Sequence, residues 1–258
     1  MTSLIDRIAF LPDLAILALG AAFVAALALG VAWVAHRFWF ADRLPLTDAH
    51  VKIADLVHGS LLAFTVFVLA LALTDVRANL GRADDAALRE ASTIARLDRE
   101  LEALGPEAAT ARQKLKSYAR AVLSDEWATL SRSPPTLSAA AQSELSALVQ
   151  EARRLANAHA GDAGSLRTLT GAMEDLRQGR LEFATKSVPG VFWWMIAAFV
   201  LGTMAMYGRN PMDATGAALI IVHMAAIGLV IALIIVMDEP FRGQTSISSV
   251  PIGKAAGL

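Results

Sequence analysis

No cysteine occurs among the 258 residues, which excludes a disulfide framework, thiolate metal sites and cysteine nucleophiles and leaves the redox compartment undetermined. An excess of one charge is missing too: 23 Lys and Arg stand against 24 Asp and Glu, a formal net charge of -1 that gives no pull toward nucleic acid or anionic lipid. Strand-like alternation, a Gly-rich phosphate loop, a Walker sequence and an HExxH motif are all lacking, and the histidines are scattered. Neither Ser60 nor any loop serine has a His and a carboxylate at a recognisable spacing, so no catalytic residue, metal ligand or cofactor is assigned and the chain is not read as an enzyme. The most informative absence is local. Residues 14–34, 56–73, 191–206 and 217–237 contain no Lys, Arg, Asp or Glu.

Each of these runs approaches the roughly 20 residues that a helix needs to cross a hydrocarbon core of about 30 Å. A backbone in lipid must satisfy its own hydrogen bonds, so such runs are helices. The composition, 55% hydrophobic yet 18% charged, calls for water-facing structure as well. The fold class predicted is therefore all-α and polytopic, with two transmembrane hairpins, four crossings in all, flanking a helical bundle. The organisation expected is an N-terminal tail at 1–13, two membrane helices in 14–75, a helical domain at 76–188, two more membrane helices in 189–238 and a tail at 239–258. The first run exceeds the roughly 7–15 apolar residues of a signal peptide, so it is expected to stay in the mature chain.

An even number of crossings puts both termini and the middle domain on one side. Near the helix ends that side carries Arg7, Arg77, Arg82, Arg177, Arg180, Lys186, Arg242 and Lys254, against Arg37, Arg43, Lys52 and Arg209 on the other. The positive-inside rule makes the first side cytoplasmic, with the protein in a bacterial inner membrane. Trp33, Trp39, Trp193, Trp194 and Tyr207 fall near the boundaries, where amphipathic rings anchor helices at headgroup level.

The middle domain is punctuated at Gly105-Pro106, at Ser133-Pro134-Pro135 and from Gly161 to Gly164, which predicts four helices. Their apolar stripes are Ile94, Leu97, Leu101 and Leu104; Leu115, Tyr118, Val122 and Leu123; Ala141, Leu145, Leu148, Ala152 and Leu155; and Leu166, Leu169, Met173, Leu176 and Phe183. No breaker separates the first from the second membrane run, so one continuous helix is expected there. After the last run, Asp238 and Glu239 precede the helix-stopping Pro240 and are expected to anchor the interface and pair with Arg180 or Lys186. Two adjacent carboxylates without a ligand loop do not make a calcium site. Pro251 and Gly253 suggest an extended tail that lies along another subunit.

Two stretches carry a resemblance. LKSYARAVLSDEWATL, with Tyr118, Glu126 and Trp127, and MDEPFRGQTSISSVPI, with Pro240, Phe241, Gly243 and Pro251, resemble the bestrophin-like domain family, and HGSLLAF from His58 is similar to that family's second segment. Through its distant relation to bestrophins, the resemblance implies a homopentameric anion channel with the lipid bilayer and inorganic ions as its partners; fold likeness alone does not carry activity.

A pore on the axis of a subunit ring needs one helix per subunit to present a single stripe. Ser60, Phe64, Phe67, Leu71 and Thr74 recur at four, three, four and three and so share a face, whose apolar centre would gate by dewetting. The competing reading packs these rings against lipid or a neighbouring helix. Asp75 at the end of the stripe would favour cations in a vestibule, whereas Arg77 and Arg82 would favour anions, and local residues do not settle the sign. His223, titratable and mid-membrane, is a candidate pH sensor or a hydrogen-bonded packing residue. The other class of function is a membrane-anchored sensor or scaffold whose helical domain binds a partner protein. Subunit number separates the two, because a single-axis pore needs about four or more copies.

Overall fold

The computed structural model describes residues 12–40, 47–210 and 212–258. Arg7, Arg43 and all but the last two residues of the expected N-terminal tail lie outside them. Among the described residues every regular element is helical: α1 (Asp13–Ala35), α2 (Asp48–Ala103), α3 (Ala109–Ala121), α4 (Trp127–Leu130), α5 (Ala139–Ala158), α6 (Ala163–Thr185), α7 (Gly190–Tyr207), α8 (Ala214–Met237) and α9 (Val250–Ala255). A π-helical turn, His36–Phe40, prolongs α1, and another, Val122–Glu126, joins α3 to α4. Four helical stretches among the described residues are long and apolar enough to cross a membrane: Asp13–Phe40, Asp48–Ala103, Ala163–Tyr207 and Ala214–Met237.

The chain divides into two compact units. An apolar unit holds the described residues up to Arg77 together with Ser187–Asp238, and a polar unit holds Ala78–Lys186 and Glu239–Leu258. α2 contributes to both and is unbroken from Asp48 to Ala103. It stops at Gly105, whose φ of +73° is left-handed backbone that glycine adopts without strain, followed by Pro106.

In the apolar unit α1 packs on α7 and α8. Small residues set the approach: a Cβ on Gly228 would lie 2.7 Å from the Gly20 carbonyl oxygen and 2.9 Å from Ala21 Cα, and one on Gly20 would lie 2.6 Å from Ala232 Cβ. Without water to drive burial, such close backbone packing is what holds membrane helices together. Val68, Leu69, Ala72 and Val76 of α2 join Ile196, Val200, Met204, Met224 and Ile227 in one buried cluster. The Asp213 carboxylate caps α8 by accepting from Gly216 N at 2.7 Å.

In the polar unit α5 packs on α3 and α6. Ile94, Leu97 and Leu101 of α2, Leu115 and Tyr118 of α3, Leu145, Leu148 and Leu155 of α5, and Leu166 and Met173 of α6 form its core. Ser138 caps α5, accepting from Ala141 N at 3.2 Å while its hydroxyl donates to Asp125. The tail is not extended. Val250–Ala255 is a helical turn with proline in its first positions, where no intrahelical donor is lost, and Ile252 is buried in the core. The Asp238 carboxylate accepts from Val188 N at 3.0 Å, Glu239 pairs with Arg242 at 3.2 Å, and Arg180 is buried among Glu90 and Glu126.

Candidate functional site

The apolar half of α2 has two unlike faces. Thr65, Val68, Leu69, Ala72 and Val76 are buried, whereas Phe64 is 53% exposed, Phe67 61% and Leu71 44%. Thr74 is exposed and Ser60 half-buried, and both hydroxyls donate back to their own helix, to Ala70 O at 2.8 Å and Leu56 O at 2.9 Å. The five-residue stripe thus lies on the outward side of a single subunit. Phe64 is not wholly unpartnered: its ring stacks on Phe199 of α7 at 5.5 Å between centroids. Beyond the stripe Asp75 is half-buried and Arg77 exposed. His223 is exposed on α8, with the Tyr207 ring 6.2 Å away.

The polar unit encloses a charge cluster drawn from six segments. Glu90 comes from α2, Tyr118 from α3, Glu126 from the π-helical turn, Trp127 from α4, Ser138 from the α5 cap, and Arg177 and Arg180 from α6. Glu90, Tyr118, Glu126 and Arg180 are fully buried. Arg180 Nη2 donates to Glu126 Oε1 at 2.5 Å, and its Nε lies 3.1 Å from Glu90 Oε2, an ion pair outside linear hydrogen-bond geometry. Tyr118 donates to Glu90 Oε1 at 2.5 Å. Arg177 grips Glu126 through Nε at 2.9 Å and Nη2 at 2.5 Å, reaches the Ser138 carbonyl at 2.8 Å, and donates to Gln142. The two guanidinium groups offset two carboxylates, the condition under which buried charge is tolerated.

Burial pushes the Glu90 carboxyl above the usual carboxylate range, against Arg180 and the Tyr118 hydrogen bond, which pull it down. Burial, with Glu90 beside it, pushes the Tyr118 phenol well up. Arg180 is lowered by burial, but Glu90, Tyr118 and Glu126 together outweigh that and raise it. The cluster ties these segments to one another by buried hydrogen bonds and ion pairs, and its Glu90, Tyr118, Glu126 and Arg180 side chains offer no reactive group to solvent.

The residues that carried the resemblance converge at its edge. The Arg180 guanidinium sits 5.4 Å from the Trp127 ring centroid, Trp127 Nε1 donates to the Ile247 carbonyl at 3.1 Å, and Phe241 meets Trp127 edge-on at 5.3 Å. Phe241 and Ile247 are buried with Ala83 and Leu130. Pro240 accepts from Ile247 N at 2.9 Å across a turn in which Gly243 takes φ +81°, and Pro251 opens α9.

Sequence reasoning missed Arg177 and Arg180 as cluster members. It continued the α6 stripe from Met173 to Leu176 and Phe183, both only half-buried, whereas the buried face runs Leu166, Leu169, Met173, Arg177, Arg180. The readable signal was charge at core register, and Glu90 gives it on α2, between Ala87 and Ile94 on the buried face. Among the described residues no group of three or more His, Asp or Glu side chains converges to hold a metal ion.

The model of the bestrophin-like domain family matches residues 22–252. No curated protein matches the chain. The fold is similar to the crystal structure of a membrane protein variant, at 13% identity and a TM-score of 0.64 over 92% of this chain and 99% of that one. It is also similar to two variants of a bacterial bestrophin homologue from Klebsiella pneumoniae. One has 14% identity and a TM-score of 0.61, over 92% of this chain and 98% of the other. The second has 13% and 0.62 over the same shares. At such identities the likeness concerns the fold.

Proposed function

The chain belongs to the bestrophin-like domain family, and from that membership we propose that it is a homo-oligomeric ion channel whose axis is lined by the exposed face of α2. The observation that carries this reading is the asymmetry of α2: Phe64, Phe67 and Leu71 are left outward at 53%, 61% and 44% exposure while the opposite face is packed. Repeated around a ring of subunits, the stripe from Ser60 to Thr74 forms an apolar constriction flanked by hydroxyls. Water leaves such a ring when it is narrow, and a hydrated ion passes only when it widens.

Asp75 and Arg77 then line the vestibule. The bestrophin likeness favours anions, with chloride the natural test ion, while Asp75 and Arg77 bring charges of opposite sign to the vestibule. The bias of Lys and Arg toward one side of the four crossings puts the termini and the polar unit in the cytoplasm of a bacterial cell, the chain crossing the inner membrane as two hairpins. His223, exposed on α8, is not part of the stripe.

The mass of the detergent-solubilised particle, corrected for bound detergent, tests the assembly. A pentamer is expected. A monomer or dimer contradicts a single-axis pore and favours the scaffold reading, in which the polar unit docks a partner protein.

A further inference from the structure

Where α7 turns toward α8, the apolar unit holds a guanidinium that the described residues satisfy only in part. The Arg209 side chain is 10% exposed, and its Nη2 donates to Asp55 Oδ1 at 2.5 Å. Its Nε and Nη1 are buried and donate to no described residue. A guanidinium cannot discharge by losing its proton, so those buried N–H groups call for an acceptor. α2 supplies a second unsatisfied nitrogen: His58 is 9% exposed, and its Nε2 also lacks a described partner. Asp55, which Arg209 grips, lies one helical turn before His58 on α2, and Tyr207, two residues before Arg209, closes on the His58 ring edge-on at 4.7 Å.

The turn that presents Arg209 is fixed. The Gly208 carbonyl oxygen is 2.7 Å from His36 Nδ1, and a Cβ at Gly208 would come within 2.6 Å of Ala32 O, so the backbone is pressed against the end of α1. Asp55 opposes a bound anion, but its side chain is 64% exposed, screened by water, and engages one of the three guanidinium nitrogens.

We propose that Arg209 and His58 form a binding site for an oxyanion of the phosphate class at this end of the apolar unit. Planar, multiply donating arginine suits the oxygens of a phosphate better than it suits a single spherical ion. The end of a membrane helix, with Tyr207 beside the site, is also the depth at which lipid phosphates lie. The same chemistry is offered by a phospholipid headgroup and by free phosphate. The site does not depend on the channel reading: a protein that conducts nothing would still bind.

The test uses the full chain, delipidated in uncharged detergent, with two probes: phosphatidylglycerol in mixed micelles, followed by native mass spectrometry, and sodium phosphate against sodium chloride of equal ionic strength, followed by calorimetry. Arg209→Gln should weaken binding of the effective probe by about tenfold, the loss expected when charge-assisted donors go, and His58→Gln by about threefold. Asp55→Asn, which removes the opposing charge, should tighten it, and this variant keeps the proposal testable should Arg209→Gln fail to fold. Lipid retention that falls in Arg209→Gln, with no effect of free phosphate, identifies a headgroup site. Phosphate binding present in the native protein and lost in Arg209→Gln identifies a free oxyanion. Equal binding of both probes by the native protein and these variants, or weaker binding by Asp55→Asn, overturns the proposal.

Discussion

Arg180 is the residue on which most of the polar unit's buried charge converges. It faces Glu126 at 2.5 Å and Glu90 at 3.1 Å with no exposure of its own, so removing it leaves carboxylates in a low-dielectric interior with fewer partners. Arg180→Met should cost about 3–5 kcal/mol, the penalty for breaking a buried pair from one side. Chemical denaturation of the purified protein checks it, and a change below 1 kcal/mol, as for a surface pair, would be the contrary result. Glu90 gives a pH signature. Its carboxyl is raised above the ordinary 4.5, mainly by burial, so the folded protein holds this proton more tightly than the unfolded chain does. That contribution to stability is complete below the ordinary value and is lost as pH rises through the raised one. The native protein should therefore lose melting temperature relative to Glu90→Gln across the window just above the usual carboxylate range, and parallel melting curves for the two would contradict it.

At the scale of elements, α1 and α8 meet through backbone rather than side chains. Gly228→Leu must displace Gly20 or Ala21, atoms that cannot rotate away. The expected loss is about 1–3 kcal/mol by overpacking, read as a lower midpoint in thermal circular dichroism, while Gly30→Ala, whose Cβ would meet nothing within 4 Å, should be neutral. These helices were legible in the sequence because lipid imposes one requirement on every residue of a crossing, an apolar side chain. The breaks at Gly105 and Gly161 were legible because glycine and proline act locally. The path of the α6 core face was not, since a search for apolar periodicity discards arginine, and only partners distant in sequence, such as Glu126, Ser138 and Gln142 for Arg177, make it a core residue. The tail misled for a related reason: Pro251 reads as a helix breaker but sits in the first turn, where its missing N–H costs nothing.

At the scale of the molecule, the stripe's spacing was visible in the sequence, but its exposure was not, because periodicity gives a face without saying what covers it. Phe64, Phe67 and Leu71 lie on a largely exposed face of α2 in a chain of the bestrophin-like family, and the channel reading depends on what that face meets in the assembly. Chloride flux into liposomes reconstituted with the native protein and with Phe64→Ala/Phe67→Ala tests it most directly. An apolar constriction predicts flux above empty vesicles for the native protein and a several-fold rise in the variant, whose wider ring stays wet. Flux at the level of empty vesicles from both would contradict the account.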